Sequence, residues 1–376
     1  MTGTVPSTTR RTFLRAGLAL GAVSSMPACA YIRDDVPAVA PLPKSAKAKI
    51  DGDLVYFNWA DYLDPSVFTG FQKEYGVKIV ESNFDSMEGM YAKIAAGNQY
   101  DITFPIAKWV VKMRREGKLR AIDHDELSNA EQVFYPGSYF TDPWYDPKSR
   151  VSVPFTVYKT GIGWRTDKVS EMTGSWRDLW NTEAAGHIFT LDDQDEALAM
   201  AALLLDYDVN TAKASHLDEM KKLLISQKKV LRAYSSDDVN NMNGGGAWIH
   251  HMWSGDFMYL REGLVENKAN CDFEAPKEGT PINSDAYAIP TNAKHPGTAM
   301  VFIDYLLRPE NAVKKINYLY YPMPVRDAVS TFTDLAKEVP ACDLDVTDLE
   351  NPDVFRLLSA EDVQRRTAAW TEVKAS

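Results

Sequence analysis

Asp53-Leu-Val-Tyr-Phe-Asn-Trp-Ala-Asp-Tyr62 reads as a buried strand, Leu54 to Phe57, that breaks abruptly into Asn58, Trp59, Ala60, Asp61 and Tyr62. Asp64-Pro65 then opens a helix, with the aspartate as N-cap and the proline at the first helical position. Open α/β sheets bind ligands beyond the carboxyl ends of their strands. Trp59 and Tyr62 stand at such an end, as the lip of a binding site or as ordinary core aromatics.

The pattern repeats outward from this unit. Pro65–Tyr75 carries Val67, Phe68, Phe71 and Tyr75 on one helical face and stops at Gly76. Val77–Val80 is a strand, Ser86–Ala96 a helix, Asp101–Phe104 a strand and Ala107–Arg115 a helix that stops at Gly117. Three β-α units with short turns predict a parallel sheet with right-handed crossovers. A second set begins at Ser175-Trp-Arg-Asp-Leu-Trp180 and continues with a strand at His187–Leu191. Asp192-Asp-Gln-Asp-Glu-Ala197 then caps a long helix with acids suited to its N-terminal dipole. Residues 237–246 read as a turn-rich approach to the strand Ala247–Met252. Two extended runs, near 153–163 and 284–290, carry the chain between two lobes. Paired crossings of this kind make a hinge around a cleft.

Composition narrows the partners. The 376 residues suffice for two cores, and 45% hydrophobic with 25% charged residues is ordinary for a globular protein. The formal charge is −11; residues 1–28 hold three arginines and no acid, so the remainder carries −11 − 3 = −14. That disfavours nucleic acid and anionic lipid and suits cationic solutes. Thr9-Arg-Arg-Thr-Phe-Leu-Arg15 followed by the apolar run Ala16–Val23 resembles a twin-arginine export signal. Met26-Pro-Ala-Cys-Ala30 reads either as a cleavage site after Ala30 or as a poor lipobox with Cys29 the lipid anchor. A Pro-, Ala- and Lys-rich tether follows. Cys271 and Cys342 remain, with no spacing that decides whether they pair. His250-His251 would face opposite sides of a strand, a poor geometry for one metal. No catalytic nucleophile motif, metal set or cofactor fingerprint is present in the sequence.

Several pieces in fixed order resemble the periplasmic spermidine/putrescine-binding proteins of ABC importers. They are Tyr56-Phe-Asn-Trp59 with Tyr62, Met90-Tyr-Ala-Lys93, Tyr100-Asp101 with Pro105, and Lys112-Met-Arg-Arg-Glu-Gly117. Next come Pro154, Gly161-Ile-Gly163, Ser175–Trp180, Asp192-Asp193 with Glu196, and Trp253-Ser-Gly255. Pro276-Lys-Glu-Gly279, Asp285-Ala-Tyr-Ala-Ile-Pro290, Leu306-Leu-Arg-Pro309 and Tyr321-Pro-Met-Pro324 complete the series. The last 45 residues or so match poorly.

The resemblance implies a type II periplasmic-binding-protein-like α/β fold, with two lobes joined by crossover strands around a central cleft. The expected segments are an export signal over 1–30, a tether over 31–50, one lobe from 51–158 and 286–328, and the other from 159–285 and 329–376. It implies Trp59 and Tyr62 as lip aromatics, Asp193 and Glu196 on one amine, Trp253 as a wall, Asp285 on the other amine and Tyr321 closing the lip. An ammonium leaving water needs carboxylates, and aromatic faces add cation–π attraction of about 0.5–2 kcal/mol each. Each of these residues also has a structural reading as a cap, core or turn residue.

Departures from the family bear on the ligand. Ile106 and Lys108 replace a small polar residue and an aromatic, Asn283 a tryptophan, and Val157 another, with Tyr158 and Lys159 beside it. A lysine in the cleft would repel a polyamine and attract a carboxylate, so the expected ligand is a polyamine or an amino-acid-like amine. The reading is a monomeric, exported, non-enzymatic solute-binding protein that serves a membrane permease and uses no cofactor. The alternatives are a ligand sensor for a membrane receptor and an exported hydrolase using Asp193 and Glu196.

Overall fold

The computed structural model describes residues 44–133, 138–263, 270–344, 346–350 and 352–376. The export signal, the Cys29 motif and most of the tether lie outside them. The strands are β1 Leu54–Trp59, β2 Ile79–Phe84, β3 Ile102–Thr103, β4 Ser152–Arg165, β5 Ile188–Thr190 and β6 Leu231–Tyr234. They continue with β7 Ile249–Trp253, β8 Cys271–Glu274, β9 Pro281–Ala288 and β10 Asp353–Val354. The helices are α1 Pro65–Tyr75, α2 Met87–Ala95, α3 Ala107–Arg115, α4 Ser138–Thr141, α5 Gln194–Leu204, α6 Ala214–Gln227 and α7 Asp238–Asn243. After them come α8 Ser254–Met258, α9 Pro296–Leu306, α10 Pro309–Leu319, α11 Val329–Leu335, α12 Val346–Glu350 and α13 Ala360–Ala375.

Strand order is β2-β1-β3-β9-β4-β7-β5-β6, with β10 added to β9 and β8 to β4. β1 lies parallel to β2 and β3, as three β-α units require. It runs to Trp59 rather than Phe57 because it pairs with β2 as far as Trp59 opposite Phe84. Both faces are covered: Tyr56 packs with Phe68, Phe104 and Phe302, while Phe57 stacks on Tyr100. Local signals set the helix ends. Asp64 accepts from the Ser66 amide at 2.7 Å, Pro65 begins α1, and Gly76 ends it at φ 69°.

The hinge is one long strand. β4 pairs with β9 from Ser152 to Lys159 and with β7 from Thr160 to Trp164, so it belongs to the sheets of both lobes. The lobe beyond Thr160 has its own core, with Trp176, Leu198, Leu224, Ile249 and Trp370. Ile282–Asp285 hydrogen-bond to the first half of β4, and Pro281 pairs with Asp353 of β10. The tail divides: α11 packs on α10 and β10 extends β9, whereas α13 lies on α5 and α6. Residues 238–243 are helical rather than turn, and Gly244 caps that helix. Cys271 and Cys342 are buried and no disulfide joins them.

A buried lysine sits behind β9. The Lys315 amine donates to the Tyr287 hydroxyl at 2.6 Å and the Leu306 carbonyl at 2.9 Å. Burial lowers its pKa from 10.5 to about 7. The unfolded chain therefore binds this proton throughout that window while the folded chain does not. Stability contributed here should rise between pH 7 and 10, and urea titrations of Lys315→Met should lack that rise.

Candidate functional site

Tyr62 follows β1 through a turn in which Asp61 takes φ 54°, a left-handed position aspartate tolerates. Its hydroxyl donates to Asp285 Oδ2 at 2.8 Å, and the Tyr158 hydroxyl on β4 donates to Oδ1 at 3.5 Å. Asp285 is 1% exposed; burial lifts its pKa to about 7 against the opposing pull of the two tyrosines. Tyr321 packs edge-on to both rings, 6.3 Å from Tyr62 and 5.3 Å from Tyr158 between centroids. Its loop is tied to the hinge strand because the Thr156 hydroxyl donates to the Pro322 carbonyl at 2.6 Å.

A second pair of acids adjoins this cage. The Tyr321 hydroxyl donates to Asp256 Oδ1 at 2.6 Å, and the Asp256 carboxyl lies near enough to Asp238 for the two to interact. Burial raises both pKa values, and repulsion from Asp256 raises Asp238 further. Trp253 ends β7, caps α8 and is half-buried against the main core; its amide donates to Asp238 at 3.4 Å. Asp256 lies one turn from Trp253, and Asp238 lies in the helix read from sequence as a turn. Sequence reading missed both, and it missed Tyr158 as a site residue. Alternation along β4 could have placed Tyr158.

The third group opens α5. Asp193 accepts from the amides of Asp195 and Glu196 at 2.8 and 3.0 Å, so it is the N-cap. Glu196 turns inward at 3% exposure and accepts from the Thr160 hydroxyl at 2.8 Å. Burial and then repulsion from Asp193 hold the Glu196 carboxyl well above the usual range. After burial, the charges raising the Tyr158 phenol come from Asp285, Glu196, Asp193 and Asp256, which converge on that hydroxyl.

Lys108 comes from the first lobe's α3 and meets Asp195, not a vacant cleft. Asp195 also receives Arg366 of α13 at 3.4 Å. Burial works against the Asp195 charge, yet these two cations hold its pKa below the ordinary value. Lys159, beside Tyr158, is buried and pairs with Asp348 at 3.2 Å. Among the described residues, no cation pairs with Asp238, Asp256 or Asp285. Trp59 packs on Phe84 at 4.7 Å, half-buried against the core on the far side of β1 from Tyr56. His250 stacks on Phe189 and His251 meets Trp176, on opposite faces of β7.

The bacterial extracellular solute-binding protein family model matches residues 66–342. The chain belongs to that family. The spermidine/putrescine-binding periplasmic protein of Salmonella typhimurium is 33% identical over 294 residues, spanning 75% of this chain and 81% of that one. A putrescine-binding periplasmic protein of Escherichia coli is 27% identical over 347 residues, spanning 86% and 91%. The crystal structure of a spermidine/putrescine ABC-transporter substrate-binding protein from Streptococcus pneumoniae superposes with a TM-score of 0.75 at 26% identity, covering 86% and 99%. The fold is thus the two-lobe type II form, and this solute-binding protein works outside the cytoplasm.

Proposed function

We propose that the chain is the polyamine-binding component of an ABC importer, with a diamine of the putrescine class as ligand. The observation that carries this reading is Asp285: a buried carboxyl, held by two tyrosine hydroxyls, with no cation on it among the described residues. An ammonium would supply the missing charge with charge-assisted hydrogen bonds, and the tyrosine rings would cover its methylenes. Asp256 with Asp238 would take the second ammonium, with Tyr62, Tyr158, Tyr321 and Trp253 as walls. Asp193 and Glu196 would set the negative field at the far side. Lys108 already meets Asp195, which removes the reason to expect a carboxylate on the ligand.

Ligand favours the closed form because only there do groups from both lobes reach it, and β4 with the β8–β9 connection would bend. The lobes divide near 159 and 280, with the tail shared between them. The protein acts as a monomer without catalysis or cofactor, does not bind nucleic acid, and delivers its ligand to a membrane permease. It leaves the cytoplasm by the twin-arginine route, with Cys29 as the residue to test for lipid attachment.

A thermal-shift series with putrescine, spermidine, ω-amino acids and inorganic salts tests the reading. A shift with putrescine and none with ω-amino acids is expected; the reverse would overturn it. Trp253→Ala should weaken putrescine binding about tenfold or more, roughly 1.4 kcal/mol, by calorimetry.

A further inference from the structure

The fold gives the Lys108 charge a destination. The side chain leaves the start of α3 in one lobe and reaches the acidic start of α5 in the other, where it pairs with Asp195. Asp193 and Glu196 flank that carboxylate in sequence, and both feel the Lys108 charge. The pair is built rather than incidental. Arg366 is 1% exposed, donates through Nη1 to the carbonyls of Val209 at 3.0 Å and Thr211 at 2.9 Å, and places Nη2 3.4 Å from Asp195. That arrangement fixes Asp195 from behind and leaves its other oxygen to Lys108.

A primary ammonium on a flexible aliphatic stem is, chemically, the end of a polyamine. We propose that Lys108 is the specificity-determining residue of this cleft: its ammonium fills an amine position at the start of α5, so that the ligand keeps only the positions at Asp285 and Asp256. A diamine satisfies both. A triamine brings a third ammonium to the start of α5, where Asp195 is already paired and the Lys108 charge repels it. The same pair bridges the lobes, so the lysine also favours closure. Closure alone would affect every amine equally, which separates the two roles.

The inference rests on the amine reading of the site, and one experiment divides them. Putrescine and spermidine are titrated calorimetrically into the full chain and its Lys108→Ala and Lys108→Arg variants, with melting curves as the check on folding. The unsubstituted protein should prefer putrescine. Lys108→Ala should shift the spermidine-to-putrescine affinity ratio tenfold or more toward spermidine, while Lys108→Arg, which keeps the charge, should hold the ratio. An unchanged ratio, or parallel loss of both amines, would overturn the specificity role and leave the amine site standing. Binding of neither amine by any of the three proteins would overturn both.

Discussion

Asp285→Asn is expected to weaken putrescine binding by about a hundredfold or more and, at about pH 8, to stabilise the ligand-free protein. The two effects share one cause. The Asp285 carboxyl ionises near 3.8 when unfolded but only at about 7 in the fold, because burial disfavours its charge. The folded chain therefore binds an extra proton between those values. Its contribution to stability is complete below about pH 4 and is lost as pH rises through about 7, a penalty of up to about 4 kcal/mol. Asparagine cannot ionise and still accepts a hydrogen bond from Tyr62, so the variant should escape that loss. Affinity for the amine should follow the opposite course. Below about pH 7 the ammonium must displace a proton, so putrescine binding to the unsubstituted protein should strengthen with pH up to that point and then level. Calorimetry at several pH values, with melting curves of both proteins, measures all of this. A variant that binds normally and melts lower would mean that Asp285 is a structural residue of β9.

Gly255→Ala should disable the cleft from beneath. Gly255 lies in α8, where alanine would ordinarily gain about 1 kcal/mol of helix propensity. Here a methyl group would fall 2.3 Å from the Tyr321 ring, which rests on the glycine. Overpacking of this kind costs roughly 1–3 kcal/mol, more than the propensity gained. Tyr321 is the part able to yield, being in the loop that follows Tyr320 at φ 58°. Its displacement would break the bond to Asp256 and remove one wall of the tyrosine cage. We expect putrescine affinity to fall at least tenfold, with a loss of about 1–3 kcal/mol in urea unfolding. Normal affinity would show that the Tyr321 ring does not need its present seat for binding.

The strands and helices around β1 were legible because their signals are local: Asp64-Pro65, Gly76, the spacing of Val67, Phe68 and Phe71, and alternation at His250-His251. The same locality exposed Asp193 as a cap and Asp285 on a crossing. It misread residues 238–243, where three following glycines suggested a turn, and so hid Asp238. What sequence by itself determined was the α/β order and the double crossing. Tertiary structure alone decided how those acids are partnered, since the contacts join residues far apart in the chain. Tyr62 meets Asp285 across 223 positions, Lys108 meets Asp195 across 87, and Arg366 arrives across 171. Burial then changes what each charge does: Asp285 has no cation among the described residues, and Lys108, expected to face a ligand, has its charge met by the opposite lobe.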